Sequence, residues 1–234
     1  MKVILNSLFA SNRDVSRPTF RFRNGLRSRQ VRVSSAVVPV SWYNINLLSN
    51  EIFFKEAGSL TLTARLTPGI YAGENLSEGI ADALDSAGTQ DYTVDHDPVT
   101  MKLNIKTTGG KPFTILGSSP AARVLGLNGD TVPGTNVTLP RPINLTGCKM
   151  ILVSIQELTN GDTVVAGKEN LNILDAIPIS VDYGNVLTWS NEDPTFVNTT
   201  DQVISEMNVR LLDSETLEVL DLNGESFQMV LDVI

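Results

Sequence analysis

Short runs in which apolar and polar residues alternate recur along almost the whole chain, and this pattern narrows the fold more than any other feature. Successive side chains of a strand point to opposite faces, so such a run buries one face and leaves the other to solvent. Thr19-Phe20-Arg21-Phe22-Arg23 and Gln30-Val31-Arg32-Val33-Ser34 alternate in this way. So does Ser59–Leu66, where Leu60, Leu62, Ala64 and Leu66 share a face. Further strands are predicted over Trp42–Leu47, Glu51–Lys55, Tyr92–Asp95, Met101–Lys106, Lys111–Leu116, Asn172–Leu174, Ile177–Val181, Met207–Leu212 and Phe227–Val233. Lys149–Ile155 is apolar with little polar relief and reads as a central strand buried on both faces. Many short strands separated by turn signals specify an all-β sandwich or barrel of antiparallel strands.

Turn residues suggest which strands pair. Asn24-Gly25 joins the first two runs into a basic hairpin, and Ser49-Asn50 separates the next two strands. His96–Val99 turns between Tyr92–Asp95 and Met101–Lys106, and Asp221–Glu225 turns between the last two strands. Residues 128–147 and 182–202 are polar and read as long connections. A single short helix is expected from Glu74 to Ala87, with Leu76, Ile80, Ala83, Leu84 and Ala87 at helical spacing. Gly79 weakens that helix, so packing on a sheet has to hold it, and Gly88 is placed to stop it. A shorter helical turn is expected over Ala121–Leu125.

The 234 residues suffice for a sizeable core, so neither disulfides nor metal are required for folding. The single cysteine, Cys148, can form no intrachain bridge, which fits a reducing compartment. It opens an apolar strand and reads as a core residue. The one histidine, His96, falls in the expected turn beside Asp95 and Asp97. One histidine is too few for the zinc or iron sites of jelly-roll metalloenzymes. A nucleophilic cysteine or serine would need that same histidine as its base, and no Gly-x-Ser-x-Gly or phosphate-binding loop occurs. The cluster Asp91, Asp95, Asp97 matches no EF-hand spacing. No enzyme activity, cofactor or metal is therefore expected. No window approaches a membrane span, and the apolar run after Met1 is too short for a signal-peptide core.

Charge is unevenly placed. Residues 1–40 hold eight basic residues and one acid, a net of +7, so residues 41–234 carry −15 of the overall −8. Arg17, Arg21, Arg23, Arg27, Arg29 and Arg32 are the candidate interaction residues, and an acidic surface or nucleic acid is the matching partner. Phe20 and Phe22 lie on the strand face opposite Arg21 and Arg23, which favours electrostatic contact over base stacking. Trp189, in the second polar connection, is the best exposed aromatic for a carbohydrate- or receptor-binding module.

Five segments, in order, resemble a known family. Val37-Val38-Pro39-Val40-Ser41-Trp42-Tyr43-Asn44-Ile45 resembles the "apolar-x-Pro-x-x-x-Tyr-Asn-Ile" strand of single jelly-roll penton and minor capsid proteins of virophages, polinton-like viruses and related large DNA viruses. Thr67-Pro68-Gly69-Ile70-Tyr71 with the helix Leu76–Leu84 is similar to their "Pro-Gly-x-Tyr" turn and helix. Tyr92–Thr100 resembles the hairpin that follows, and Ser118–Leu127 their "Ser…Leu-Gly-Leu/Phe" segment. Leu211-Leu212-Asp213 through Leu220–Glu225 resembles the closing "Asp…Leu-Asp-Leu-Asn-Gly".

The resemblance covers residues 36–234. It implies a single jelly-roll domain there, preceded by a basic N-terminal arm or hairpin over 1–35, and no large inserted decoration domain. It further implies a structural virion protein at a fivefold vertex, made in the host cytoplasm. Its expected partners are further copies of itself in a homopentamer and the major capsid protein. The basic segment would meet internal capsid proteins, a neighbouring subunit or the genome.

Overall fold

A computed structural model describes residues 1–12, 14–158, 172–192, 196–199 and 203–234. In chain order the elements are β1 (Lys2–Asn6), a 3-10 turn (Ser7–Phe9), β2 (Thr19–Arg27) and β3 (Gln30–Pro39). There follow β4 (Glu51–Glu56), β5 (Leu62–Arg65), α1 (Gly73–Ala87), β6 (Tyr92–Asp97), β7 (Lys102–Thr107), β8 (Phe113–Ile115), α2 (Ala122–Leu125) and β9 (Asn136–Thr138). The chain ends with β10 (Met150–Ile155), β11 (Ile173–Pro178), β12 (Val186–Ser190), β13 (Val197–Asn198), β14 (Val203–Asp213) and β15 (Gln228–Val233). Every paired strand is antiparallel.

The chain divides into two compact units, one of Met1–Trp42 with Cys148–Ile234, the other of Tyr43–Gly147. This differs from the expected boundary at residue 35. Residues 1–35 supply β1, β2 and half of β3 to the first unit, and a second unit is inserted between β3 and β10 where no large insertion was expected.

The first unit is a sandwich of two sheets, ordered β1-β15-β3-β12, with β13 also on β3, and β11-β10-β14-β2. Alternating residues of both sheets meet in one core: Leu5, Val31, Val33, Val38, Met229 and Leu231 with Ile151, Val153, Ile155, Met207, Val209 and Leu211. Each such side chain contributes about 1.5–3 kcal/mol when fully buried. The chain's two ends close the first sheet, since β1 pairs with β15 from Lys2↔Asp232 to Asn6↔Gln228 and the N-terminal amine donates to the Val233 carbonyl at 2.6 Å.

The predicted strands are present except Trp42–Leu47, but two predicted hairpins are not. β2 and β3 are joined by two residues yet lie in different sheets, and so do β14 and β15. A step from one sheet to the other after a strand is how a jelly roll is wound. Period-two alternation fixes which side chains point inward and says nothing about which neighbour a strand pairs with. β10 is central, as expected, between β11 and β14. Its second face is covered too: Leu152, Ile173 and Leu212 form a small outer cluster under Leu217 and Val219. The connection expected over 182–202 instead contains β12 and β13, which pair with β3. The strands expected at Asn172–Leu174 and Ile177–Val181 are one strand, β11.

The second unit holds two three-stranded sheets, β5-β4-β8 and β6-β7-β9, linked by mutual hydrogen bonds of 2.9 and 3.1 Å between Phe113 and Gly134. α1 runs as predicted, with Leu76, Ile80, Ala83 and Leu84 buried, and packs against β5 and β6. Its start is tied by the Ala72 N–H donating to the Asn75 side chain at 2.6 Å, and at its end the Gly88 N–H donates to the Leu84 carbonyl at 2.7 Å. α2 stops at Gly126, whose φ of +76° suits glycine, and a Cβ there would lie 2.3 Å from the Arg141 carbonyl oxygen. Trp42–Leu47 is not the predicted strand; only Ile45 bridges to Gly69, and Trp42 and Ile45 are buried. The expected connection over 128–147 is largely irregular but supplies β9.

Candidate interaction surface

β2 is the edge strand of its sheet. Alternation sends Phe20 and Leu26 into the core, with Phe22 packed against it, and leaves Arg21, Arg23 and Arg27 exposed. Between the pairs Ile204↔Leu26 and Glu206↔Arg21, β14 advances two residues while β2 advances five. The surplus residues of β2 form a bulge around Asn24 and Gly25, where the turn of a hairpin was expected. Bulges and charged side chains both discourage stray pairing along an open edge.

The six arginines divide into two kinds. Arg21 binds Glu206 at 3.0 Å across the β2–β14 pair, with both side chains well exposed, and such a pair is worth about 0.2–1 kcal/mol. Arg32 lies on β3 and is half-buried. Its Nε and Nη2 donate to Asp232 at 3.2 and 3.0 Å, and its guanidinium lies 4.9 Å from the centroid of the Phe196 ring. Burial pushes the Asp232 carboxyl up, but hydrogen bonding to Arg32 and the charges of Lys2 and Arg32 outweigh it and hold the group below its usual value. Arg32 is therefore committed within its own sheet. Arg17, Arg23, Arg27 and Arg29 are exposed and form no ion pair with a described residue. Arg13 lies outside the described residues.

The remaining sequence candidates are accounted for by packing. His96 is in β6, in register with Leu103, on the same strand face as Tyr92 and Val94, and not in a turn. Its ring rests against Gly73, the first residue of α1. Cys148 is buried and donates its S–H to the Met150 carbonyl at 3.2 Å, and burial pushes the thiol up to about 12. It belongs to the first unit and His96 to the second. Asp95 pairs with Lys106 at 2.9 Å. Asp97 accepts hydrogen bonds from the Thr100 hydroxyl at 2.6 Å and the Val99 N–H at 2.9 Å, which hold its carboxyl below the usual range. No group of three or more metal-ligating side chains occurs among the described residues. Trp189, expected on an exposed connection, sits in β12 opposite Ala36 and packs on the core. No described helix is long and apolar enough to cross a membrane.

A second charged feature was not singled out from the sequence. The segment Asp213–Glu225 contains five acids and no lysine or arginine. Its first half folds back on β10, β11 and β14 through Leu217 and Val219, Glu215 pairs with Lys149 at 3.1 Å, and Glu218, Asp221 and Glu225 are exposed.

The solved penton protein of mavirus superposes on this chain over 100% of both chains, with a TM-score of 0.51 and 10% sequence identity. The chain has the fold of that penton protein. A chain from the cryo-electron microscopy structure of the Sputnik virophage matches at 11% identity over 99% of this chain and 96% of its own, with a TM-score of 0.45. No protein-family model matches the chain, and no curated protein matches it by sequence. At this identity the likeness is one of fold.

Proposed function

We propose that this protein is a structural capsid protein of a virus, a penton subunit at the fivefold vertices of an icosahedral shell, acting through contacts between subunits and without catalysis. The observation that carries the reading is the fold likeness to the mavirus penton protein along the full length of both chains. A sandwich with its core filled by side chains leaves its edges and loops as working surfaces. In this reading copies associate into a homopentamer and contact the major capsid protein. The exposed arginines Arg17, Arg21, Arg23, Arg27 and Arg29 face a neighbouring protein or the genome, and Arg32 braces the strand pair behind them. The protein is made in the host cytoplasm and resides in the virion.

Mass spectrometry of purified particles, together with native mass spectrometry of the recombinant chain, tests this. Detection in particles at the low copy number of a vertex protein, with a pentameric species in solution, is expected. Absence from particles combined with a monomer at every concentration overturns it.

A further inference from the structure

We infer that copies of this chain associate head to tail through opposite charges, the basic β2 edge of one copy docking on the acidic Asp213–Glu225 segment of the next. This rests on the capsid reading above and adds which two surfaces meet.

Both surfaces belong to the first unit and are placed by one strand. β14 carries β2 along its first half, from Val203↔Arg27 to Asn208↔Thr19, and pairs with β10 along its second, from Val209↔Ile155 to Asp213↔Ile151. Arg21, Arg23, Arg27 and Arg29 therefore flank one end of β14, and the acidic segment begins at the other. The seven residues from Glu206 to Asp213 put roughly 20 Å between the two charged regions, at about 3.3 Å per residue. That distance exceeds the screening length of about 8 Å at physiological salt, so the two ends act as separate patches of opposite sign.

The basic patch is an open strand edge and the turn after it, with Arg23, Arg27 and Arg29 exposed and unpaired among the described residues. The acidic patch is an ordered surface. Leu217 and Val219 pin it to the sheet, Asp213 N–H donates to the Glu218 carbonyl at 2.9 Å, and Asn223 N–H donates to the Asp221 carboxylate at 2.8 Å. A charged edge that served only to repel stray strands would need no acid-only run at the far end of the same strand. Two different, complementary patches make a heterologous contact, the type that closes into a ring when the rotation allows. Charge complementarity also fixes which patches meet and rejects like-with-like pairing.

Two variants of the full chain test this, each changing only exposed side chains. Arg23→Glu with Arg27→Glu and Arg29→Glu makes both patches acidic; Glu218→Arg with Asp221→Arg and Glu225→Arg makes both basic. Sedimentation and native mass spectrometry at low and high salt are expected to show wild-type self-association that weakens with salt. Each variant alone should associate about tenfold or more weakly than wild type. Mixing the two should restore association through contacts between unlike variants, as mixed dimers and short chains or as rings of three and two with one like-charged contact left, which also shows that both variants fold. Variants that associate as wild type does overturn the assignment of these surfaces, and the capsid reading stands if the protein still enters particles. A wild-type chain that is monomeric throughout and absent from particles removes both. Unchanged self-association with loss of binding to a labelled oligonucleotide in the arginine variant overturns the contact in favour of nucleic acid.

Discussion

The Tyr92 hydroxyl donates to the Glu56 carboxylate at 3.0 Å inside the second unit, and the two residues tie β6 to β4 beneath the end of α1. Glu56 also accepts the Thr89 N–H at 2.9 Å and the Thr89 hydroxyl at 2.5 Å. Phe54 and Phe113 meet the Tyr92 ring edge to face, with centroids 6.0 and 5.3 Å away. Burial pushes the Glu56 carboxyl up, but hydrogen bonds from Thr89, Tyr92 and the Gln90 backbone outweigh it and hold it below the ordinary value. Burial and the neighbouring carboxylate both push the Tyr92 hydroxyl up.

The lowered Glu56 carboxyl gives stability a pH dependence of definite sign. The folded state binds its proton less tightly than the unfolded chain, so the contribution is complete above the unfolded value of about 4.3 and is lost as pH falls through the folded one. Glu56→Gln is expected to destabilise the chain at pH 7 and to match wild type more closely as pH drops below 4.3, the ordinary glutamate value. Glu56→Ala leaves buried donors unpaired and is expected to cost about 1–3 kcal/mol. Denaturant titrations across this pH range check both.

Gly126 combines a left-handed backbone with a crowded Cβ position, whereas Gly58 has the same φ of +76° with nothing within 4 Å of a Cβ. Gly58→Ala is expected to cost about 1–2 kcal/mol, the left-handed penalty alone. Gly126→Ala adds a clash with the Arg141 carbonyl and is expected to cost clearly more. Paired thermal melts measure the difference, and equal costs would show that the loop at Arg141 yields freely.

Cys148 should be inert while the chain is folded. With its thiol pushed up to about 12 and its side chain buried, almost no thiolate exists at pH 8. An aromatic disulfide reagent is expected to react only after denaturant is added, at the rate of unfolding. Stoichiometric labelling of the native protein at pH 8 would contradict this.

The Arg32–Asp232 pair joins β3 to β15 with both side chains mostly shielded. A double-mutant cycle with Arg32→Ala and Asp232→Ala is expected to give a coupling of about 1 kcal/mol that salt weakens only modestly. Arg32→Lys keeps the charge but loses the two-nitrogen contact and the face of Phe196, so it should recover only part of the stability.

What the sequence by itself determined was most of the strands, the inward faces of the clearest of them and the one substantial helix, because these follow from local periodicity and propensity; β1, β9, β12 and β13 were not legible, and Trp42–Leu47 is not a strand. The burial of Phe20, Val31, Val33, Ile151, Leu152, Val153 and Ile155, the run of α1 and the exposure of Arg21, Arg23 and Arg27 were all legible there, whereas Met150, expected in the same buried strand, is exposed. The pairing of strands was not: β2 with β3 and β14 with β15 look like hairpins, yet each pair is split between the two sheets. Pairing is settled by which arrangement buries both apolar faces at once, a property of the whole sandwich rather than of any short run. The same holds for Trp189 and His96, whose polar surroundings in sequence suggested exposure until β12 and β6 turned them toward packed neighbours. The inserted unit likewise emerged only in three dimensions, because Tyr43 and Gly147 bound it by where the chain's contacts fall, and no shift in composition marks either residue.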